Sequence, residues 1–266
     1  MFYDNHVHTH FSPDSQEKMQ NYIDKAIAIG LNGLCFTDHL DLDSPLEMGG
    51  DKWTFDIAQM TREVDKLDKK GLSVGRGIEM GVRLCDGIIP RTEEIVRKHE
   101  LDFIIASVHF LDGFDPYFPA FFDNKSRAQG FARYLEVILE CLKQTDYYCA
   151  VGHIDYPVKG CPYPRKSMQY TDAPDLIDAL FRHIIERGKC IEINTSVLAR
   201  LGEEAPDLRI YKRYRELGGE FLSFGSDSHR TATLGQHFAQ AGALAKAAGI
   251  KYAVSFEKLQ PIMHPL

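Results

Sequence analysis

Cysteine is sparse in this chain, tryptophan occurs once, and no apolar run is long. The six cysteines, Cys35, Cys85, Cys141, Cys149, Cys161 and Cys190, form no C-x-x-C pair. Their low density excludes a disulfide-stapled secreted domain and a cysteine-built structural zinc site. No stretch approaches the ~18 consecutive apolar residues of a membrane span. The first residues also lack the basic and apolar regions of a signal peptide. A reducing cytoplasm, with no membrane partner, is the expected setting. Basic residues are in deficit too: 31 Lys and Arg against 38 Asp and Glu give a formal charge of −7. Nucleic acid, which recruits clustered Lys and Arg, is therefore excluded as a partner. A small anionic substrate stays compatible, because a bound metal ion can outweigh the local protein charge.

What is present is an ordinary globular balance, 44% hydrophobic and 26% charged over 266 residues. That length suits one α/β barrel, which commonly takes ~250 residues. No linker, repeat or low-complexity tract divides the chain, so a single domain over residues 1–266 is expected. Short apolar segments alternate with amphipathic ones about seven times. The candidate strands are Phe2–His8, Gly33–Thr37, Ser73–Ile78, Asp102–Val108, Cys149–Gly152, Cys190–Ile193 and Glu220–Gly225. Helical patterns over Ser126–Lys143, Pro174–Arg187 and Pro206–Leu217 carry end signals, with Thr171 and Asp172 as caps of the second. Such alternation predicts a parallel sheet covered by helices. Lys251–Phe256 has strand character, but the Lys-Leu-Gln-Pro beyond it reads as a loose end. Three loops stand out: Asp41–Lys52, Asp112–Asn124 and Tyr156–Tyr170.

The informative residues stand at the strand ends. In order, the strands lead into His6-Val-His8, Asp38-His39, Glu79, His109, His153, Glu192-Ile-Asn194 and Asp227-Ser-His229. In a β/α barrel these ends converge on one face, where active sites are assembled from several strands. Strand residues i and i+2 point the same way, so His6 and His8 can grip one ion together. Asp227 and His229 repeat that spacing. Imidazoles with carboxylates are the ligand set of Zn, Mn and Fe. Asp41-Leu-Asp43 imitates the aspartate pair of another phosphatase class, the haloacid dehalogenases, but stands too far from an apolar strand to serve. His10 shares the parity of His8 and is a candidate support for it. His99, His183, His237 and His264 carry no ligand pattern.

These segments resemble the PHP (polymerase and histidinol phosphatase) superfamily. His6-Val-His8-Thr-His-Phe-Ser12-Pro-Asp14 is similar to its first motif. Thr37-Asp-His39, Gly77-Ile-Glu79-Met, Ser107-Val-His109, Gly152-His153-Ile-Asp and Ser226-Asp227-Ser-His229 match its later motifs in order. Within the superfamily the likeness is to histidinol phosphatases, through residues 77–81, 107–113, 152–155 and 191–196. The resemblance implies a distorted TIM-like (β/α)7 barrel holding two or three divalent ions (Zn, Fe or Mn). It implies His6, His8, Glu79 and Asp227 on one metal. Glu79 would bridge to a second metal held by His109 and His153, and a third would take His39, His229 and Asp14. Many relatives have a histidine where Asp14 stands.

The activity expected is phosphomonoester hydrolysis, of L-histidinol phosphate in histidine biosynthesis, by a hydroxide shared between two metals. Asp227 would orient that nucleophile or take its proton. Basic side chains would meet the phosphate: Arg165 foremost, as it lies in the loop after His153, then Lys159, Arg200 and Arg230. Asn194 is a further candidate substrate contact. The acids and aromatics of Asp112–Phe122 suit the cationic tail of histidinol, or else pack on the barrel rim. Two other readings compete: a phosphatase or phosphodiesterase directed at nucleotides, and a PHP module that binds without catalysis.

Overall fold

The computed structural model describes residues 2–46 and 49–266. Two residues of the loop predicted over 41–52, Glu47 and Met48, lie outside this range. The strands are β1 (Tyr3–Val7), β2 (Gly33–Phe36), β3 (His39–Leu40), β4 (Ser73–Gly81), β5 (Phe103–Ser107), β6 (Ala150–Val151), β7 (Cys190–Asn194), β8 (Phe221–Gly225), β9 (Tyr252–Glu257) and β10 (Gln260–Pro265). The helices are α1 (Met19–Ala28), α2 (Ile57–Lys66), α3 (Ile88–Val96), α4 (Arg127–Leu142), α5 (Pro174–Glu186), α6 (Thr195–Leu201), α7 (Leu208–Glu216) and α8 (Phe238–Ala247).

Strands β1, β2, β4, β5, β6, β7 and β8 pair in that order, all parallel, and the short β3 continues the line of β2 against β4. The first and last of these meet beyond their ends. Val7 bridges Ser228, and the His8 N–H donates to the Ser228 carbonyl at 2.9 Å. Seven strands thus come round into the distorted (β/α)7 barrel expected.

Lower down, β9 pairs with β8, and the Asn5 amide spans to the Val254 carbonyl (2.7 Å) and Ser223 Oγ (3.0 Å). The expectation of a loose end after residue 256 is wrong. Lys258 and Leu259 take left-handed φ values of 49° and 65°, making a two-residue turn into β10. Pro261 and Pro265 are tolerated because β10 is an edge strand.

The inward side chains of neighbouring strands close the barrel floor: Cys35, Phe103, Ile105, Cys149, Cys190 and Val254 form one buried cluster. All six thiols are free. The larger apolar layer packs between strands and helices, with Tyr22, Tyr134, Phe131 and Phe181 wholly buried. Helix α4 opens with a reciprocal Ser126–Gln129 capping box. Neither expected cap of α5 serves as one. Asp172 holds Arg127 through two 2.6 Å contacts, and Ala173 stands at the cap position. Among the described residues, no helix is long and apolar enough to cross a membrane.

Candidate active site

The strand ends bring the predicted ligands to one buried point. Strand β4 runs past the expected Ile78 to Gly81, so Glu79 points inward from within the strand. Its Oε1 lies 3.3 Å from His6 Nε2, 3.1 Å from His109 Nε2 and 3.0 Å from His153 Nε2. Its Oε2 faces His39 Nδ1 (2.8 Å) and His8 Nε2 (3.5 Å). Asp227 Oδ1 lies 3.3 Å from His8 Nε2 and 3.8 Å from His6 Nε2. A few ångströms away, Asp14 Oδ2 is 2.9 Å from His229 Nε2 and 3.7 Å from His39 Nε2. The turn that carries Asp14 is braced by Asp38, which accepts hydrogen bonds from the Thr9 N–H (2.6 Å) and Ser12 Oγ (2.7 Å).

Three triads have ligand atoms close enough to share an ion: His6, His8 and Glu79; Glu79, His109 and His153; His8, His39 and His229. The donor set fits divalent cations on a second ground. His6 Nε2, His8 Nε2, His39 Nδ1, Glu79 Oε2 and His229 Nε2 are all buried and face one another without a well-aligned hydrogen bond. Buried polar atoms normally find aligned partners, so lone pairs that converge on one point without them suit a shared cation. A fourth triad, His39, Asp41 and His109, overlaps these.

Electrostatics keep the carboxylates and two of the histidines ligand-ready. Burial would lower His6, His39 and His109, but the carboxylates facing them raise all three overall, toward the imidazolium that a metal must deprotonate. Burial pushes Glu79 up, but the facing His109, His6 and His39 hold it well below the ordinary carboxylate range. Burial acts likewise on Asp227, and Lys159 and His6 reverse it strongly. Burial, reinforced by His229 and His39, drives His8 down toward the neutral, metal-binding imidazole. His153 is lowered by burial as well. Asp227 sits in left-handed backbone at φ 52°, a conformation strained for a non-glycine residue and frequent at functional sites.

The other faces of the rings are held by the protein. His8 Nδ1 is 3.1 Å from Ser12 Oγ, His109 Nδ1 is 3.0 Å from Asp41 Oδ1, and His6 Nδ1 is 2.7 Å from Glu192 Oε1. The Asp41 contact was missed in the sequence. Its two-residue spacing from His39, just past the end of the short β3, was the available signal. His10 does not support His8, because it turns outward to Glu63 at 3.4 Å.

Above the cluster opens a cavity of about 430 Å³, walled by Trp53, Tyr117, Phe118 and Tyr156, with Asp115 and Lys159. The loop over 112–124 divides its work: Phe121 and Phe122 are core, Asp112 pairs with Arg133, and Asp115, Tyr117 and Phe118 face the cavity. Of the basic candidates only Lys159 reaches inside, with Nζ 2.6 Å from Asp227 Oδ2. Arg200 is exposed and holds the Tyr117 hydroxyl at the rim. Arg165 and Arg230 are exposed and do not line the cavity. The loop after β6 makes a 3-10 turn over Tyr156–Gly160 against the cavity, then leads away before residue 165. Asn194 lies behind the cavity wall. Its carbonyl caps α6 and its amide faces Glu192 and Asp227.

A family model described as the PHP domain matches residues 4–196, and the chain belongs to that family. A protein of Clostridium acetobutylicum named "Probable histidinol-phosphatase" is 33% identical, over 97% of this chain and 98% of its own. A histidinol-phosphatase of Lactococcus lactis is 28% identical, over 97% of this chain and 95% of its own. A crystal structure of the histidinol phosphate phosphatase from that species, complexed with zinc, L-histidinol and phosphate, superposes with a TM-score of 0.86. It is 27% identical and covers 98% of both chains.

Proposed function

We propose that this PHP-family chain hydrolyses L-histidinol phosphate to L-histidinol and inorganic phosphate. The observation that carries the reading is Glu79. Its two oxygens face different sets of histidines beneath an aromatic cavity. The relatives named for this activity match over nearly the whole chain. One divalent ion would lie among His6, His8, Glu79 and Asp227, a second among Glu79, His109 and His153, and a third among His39, His229 and Asp14. Zinc, iron and manganese all suit such donors. Bound there, these ions supply Lewis acidity toward water and phosphoryl oxygens.

The side chains do the rest. Lys159 donates from Nζ to a phosphoryl oxygen. Asp227, kept ionised, directs one oxygen at the ligand cluster and the other at Lys159 and Ser196. It is thus set to orient the attacking water and accept its proton. Asp115 and the faces of Trp53 and Tyr117 meet the ammonium and imidazole of the substrate tail. The reading places the enzyme in the cytoplasm, acting on a small phosphorylated metabolite. Phosphate release from histidinol phosphate and from nucleoside monophosphates, by metal-stripped protein reloaded with zinc, manganese or iron, tests it. Preference for the histidinol ester is expected. Preference for a nucleotide overturns the substrate, and turnover indifferent to metal overturns the chemistry.

A further inference from the structure

Glu192 is buried on β7, does not line the cavity, and is not one of the proposed metal ligands. Among the described residues its one ion-pair partner is His6. A carboxylate oxygen accepts hydrogen bonds, and those of Glu192 face three nitrogens, two of which are fixed donors. Oε1 faces His6 Nδ1 at 2.7 Å. Oε2 accepts from the His153 backbone N–H at 2.9 Å and from Asn194 Nδ2 at 3.1 Å. The Asn194 amide cannot turn over, because its Oδ1 is taken by the Ser196 and Val197 backbone N–H groups.

His6 therefore has one available role at Nδ1, that of donor. In the neutral, metal-binding ring the remaining lone pair then falls on Nε2, the atom that lies 3.3 Å from Glu79. The neighbouring strand makes room for this pair. A Cβ at Gly225 would stand 2.1 Å from Glu192 Oε1 and 2.4 Å from His6 Cβ.

We propose that Glu192 is a positioning residue: it locks His6 in the Nδ1–H tautomer and so presents Nε2 to a divalent cation. By also gripping the His153 backbone, the same carboxylate ties the two halves of the metal cluster to one anchor. The inference rests on reading His6 as a metal ligand, and the experiment separates the two.

The incisive variant is Glu192→Gln, nearly identical in shape. A carboxamide has one acceptor and one donor side. Its oxygen is drawn to the two donors on the Oε2 side, which leaves its NH2 facing His6 Nδ1. The ring must then accept there and carry its proton on Nε2, where it can no longer bind a metal. The full chain, stripped of metal, is titrated with Zn²⁺ against a chromophoric chelator. Its histidine tautomers are read by 15N NMR, with His6 assigned by loss of its signal in His6→Gln.

Wild type, read with Zn²⁺ bound so that the ring is neutral, is expected to show the Nδ1–H form at His6. Glu192→Gln is expected to show the Nε2–H form, with one Zn²⁺ equivalent bound about 10- to 100-fold more weakly. The metal-free unfolding temperature is expected to stay near that of wild type. A lowered metal-free stability with unchanged tautomer and Zn²⁺ affinity would make Glu192 merely structural and overturn the proposal. The Nε2–H form in wild type overturns it with no variant needed. If His6→Gln itself keeps every Zn²⁺ equivalent, the ligand reading of His6 fails instead.

Discussion

Replacing Lys159 by methionine isolates the one ammonium in the cavity, since the aliphatic stem is kept and only the charged end is removed. Burial alone would lower the pKa of this lysine, but Asp227 at 2.6 Å outweighs it and holds the group above its ordinary value. The ammonium is therefore fully charged across about pH 6–9, and the effect of the substitution should not vary over that window. A hydrogen bond to a charged group is worth ~1.5–3 kcal/mol net. At ~1.4 kcal/mol per tenfold change, losing one to the phosphoryl oxygens lowers kcat/KM by about 10- to 150-fold.

A stability cost accompanies this, because Asp227 loses its closest partner. Stranding a buried charge completely costs about 3–5 kcal/mol. Here the same oxygen keeps Ser196 Oγ at 2.9 Å and the Asn194 amide at 3.4 Å, so the loss should fall below that range. Steady-state kinetics on histidinol phosphate, beside thermal unfolding of the same samples, separates the two effects. Lys159→Arg should restore most of the activity by returning charge and donors. If Lys159→Met unfolds at lower temperature yet keeps kcat/KM within twofold of wild type (~0.4 kcal/mol), the lysine serves only Asp227 and its proposed phosphate contact is refuted.

His153→Ala should cut phosphatase activity by more than the ~100-fold typical of losing a group that merely supports a ligand. Its circular dichroism should stay that of a folded barrel, and wild-type turnover would remove the second metal site from the reading. A pH effect on stability is expected away from the chemistry, at Asp155, whose carboxyl burial pushes up to about 7. Between about pH 4 and 7 the native state holds a proton that the unfolded chain has released, so this group's contribution to stability declines as pH rises. Asp155→Asn should reduce that slope by about one proton in denaturant titrations. An unchanged slope would show that the carboxyl ionises freely in the fold.

The parts of the site legible in the sequence are those written in local pattern. His6 with His8, and Asp227 with His229, announce themselves by the two-residue period of a strand end. Glu79 and His109 close apolar runs too short for helices. The carboxylates behind the rings have no such signature. Asp41 meets His109 from 68 residues away, and Glu192 meets His6 from 186 away. Only the closed sheet makes these pairs neighbours. The choice among basic residues failed for a related reason. Arg165 and Lys159 come after the same strand, and which of them faces the cavity depends on where the 3-10 turn at residues 156–160 leaves the barrel mouth. Asp172 has the chemistry of a helix cap, but tertiary pairing with Arg127 takes precedence over that local preference.

The acidity of the chain acquires a meaning at the cavity. Among the described residues five carboxylates line it, those of Asp14, Asp41, Glu79, Asp115 and Asp227, against the ammonium of Lys159 and four imidazoles. At least Glu79 and Asp227 are held ionised by their neighbours. With its imidazoles in the neutral, metal-binding form, such a surface repels a phosphomonoester dianion and attracts cations. The same charges that oppose the substrate are aimed at the point where the histidine lone pairs meet. Divalent ions held there would reverse the local sign, and the bound metal, not the protein's own charge, would be the electrostatic partner of the phosphate. The aromatic wall and Asp115 lie beyond that reversed region, where negative potential persists and a cationic tail is favoured. A ligand anionic at one end and cationic at the other is thus oriented by the field before any side chain touches it.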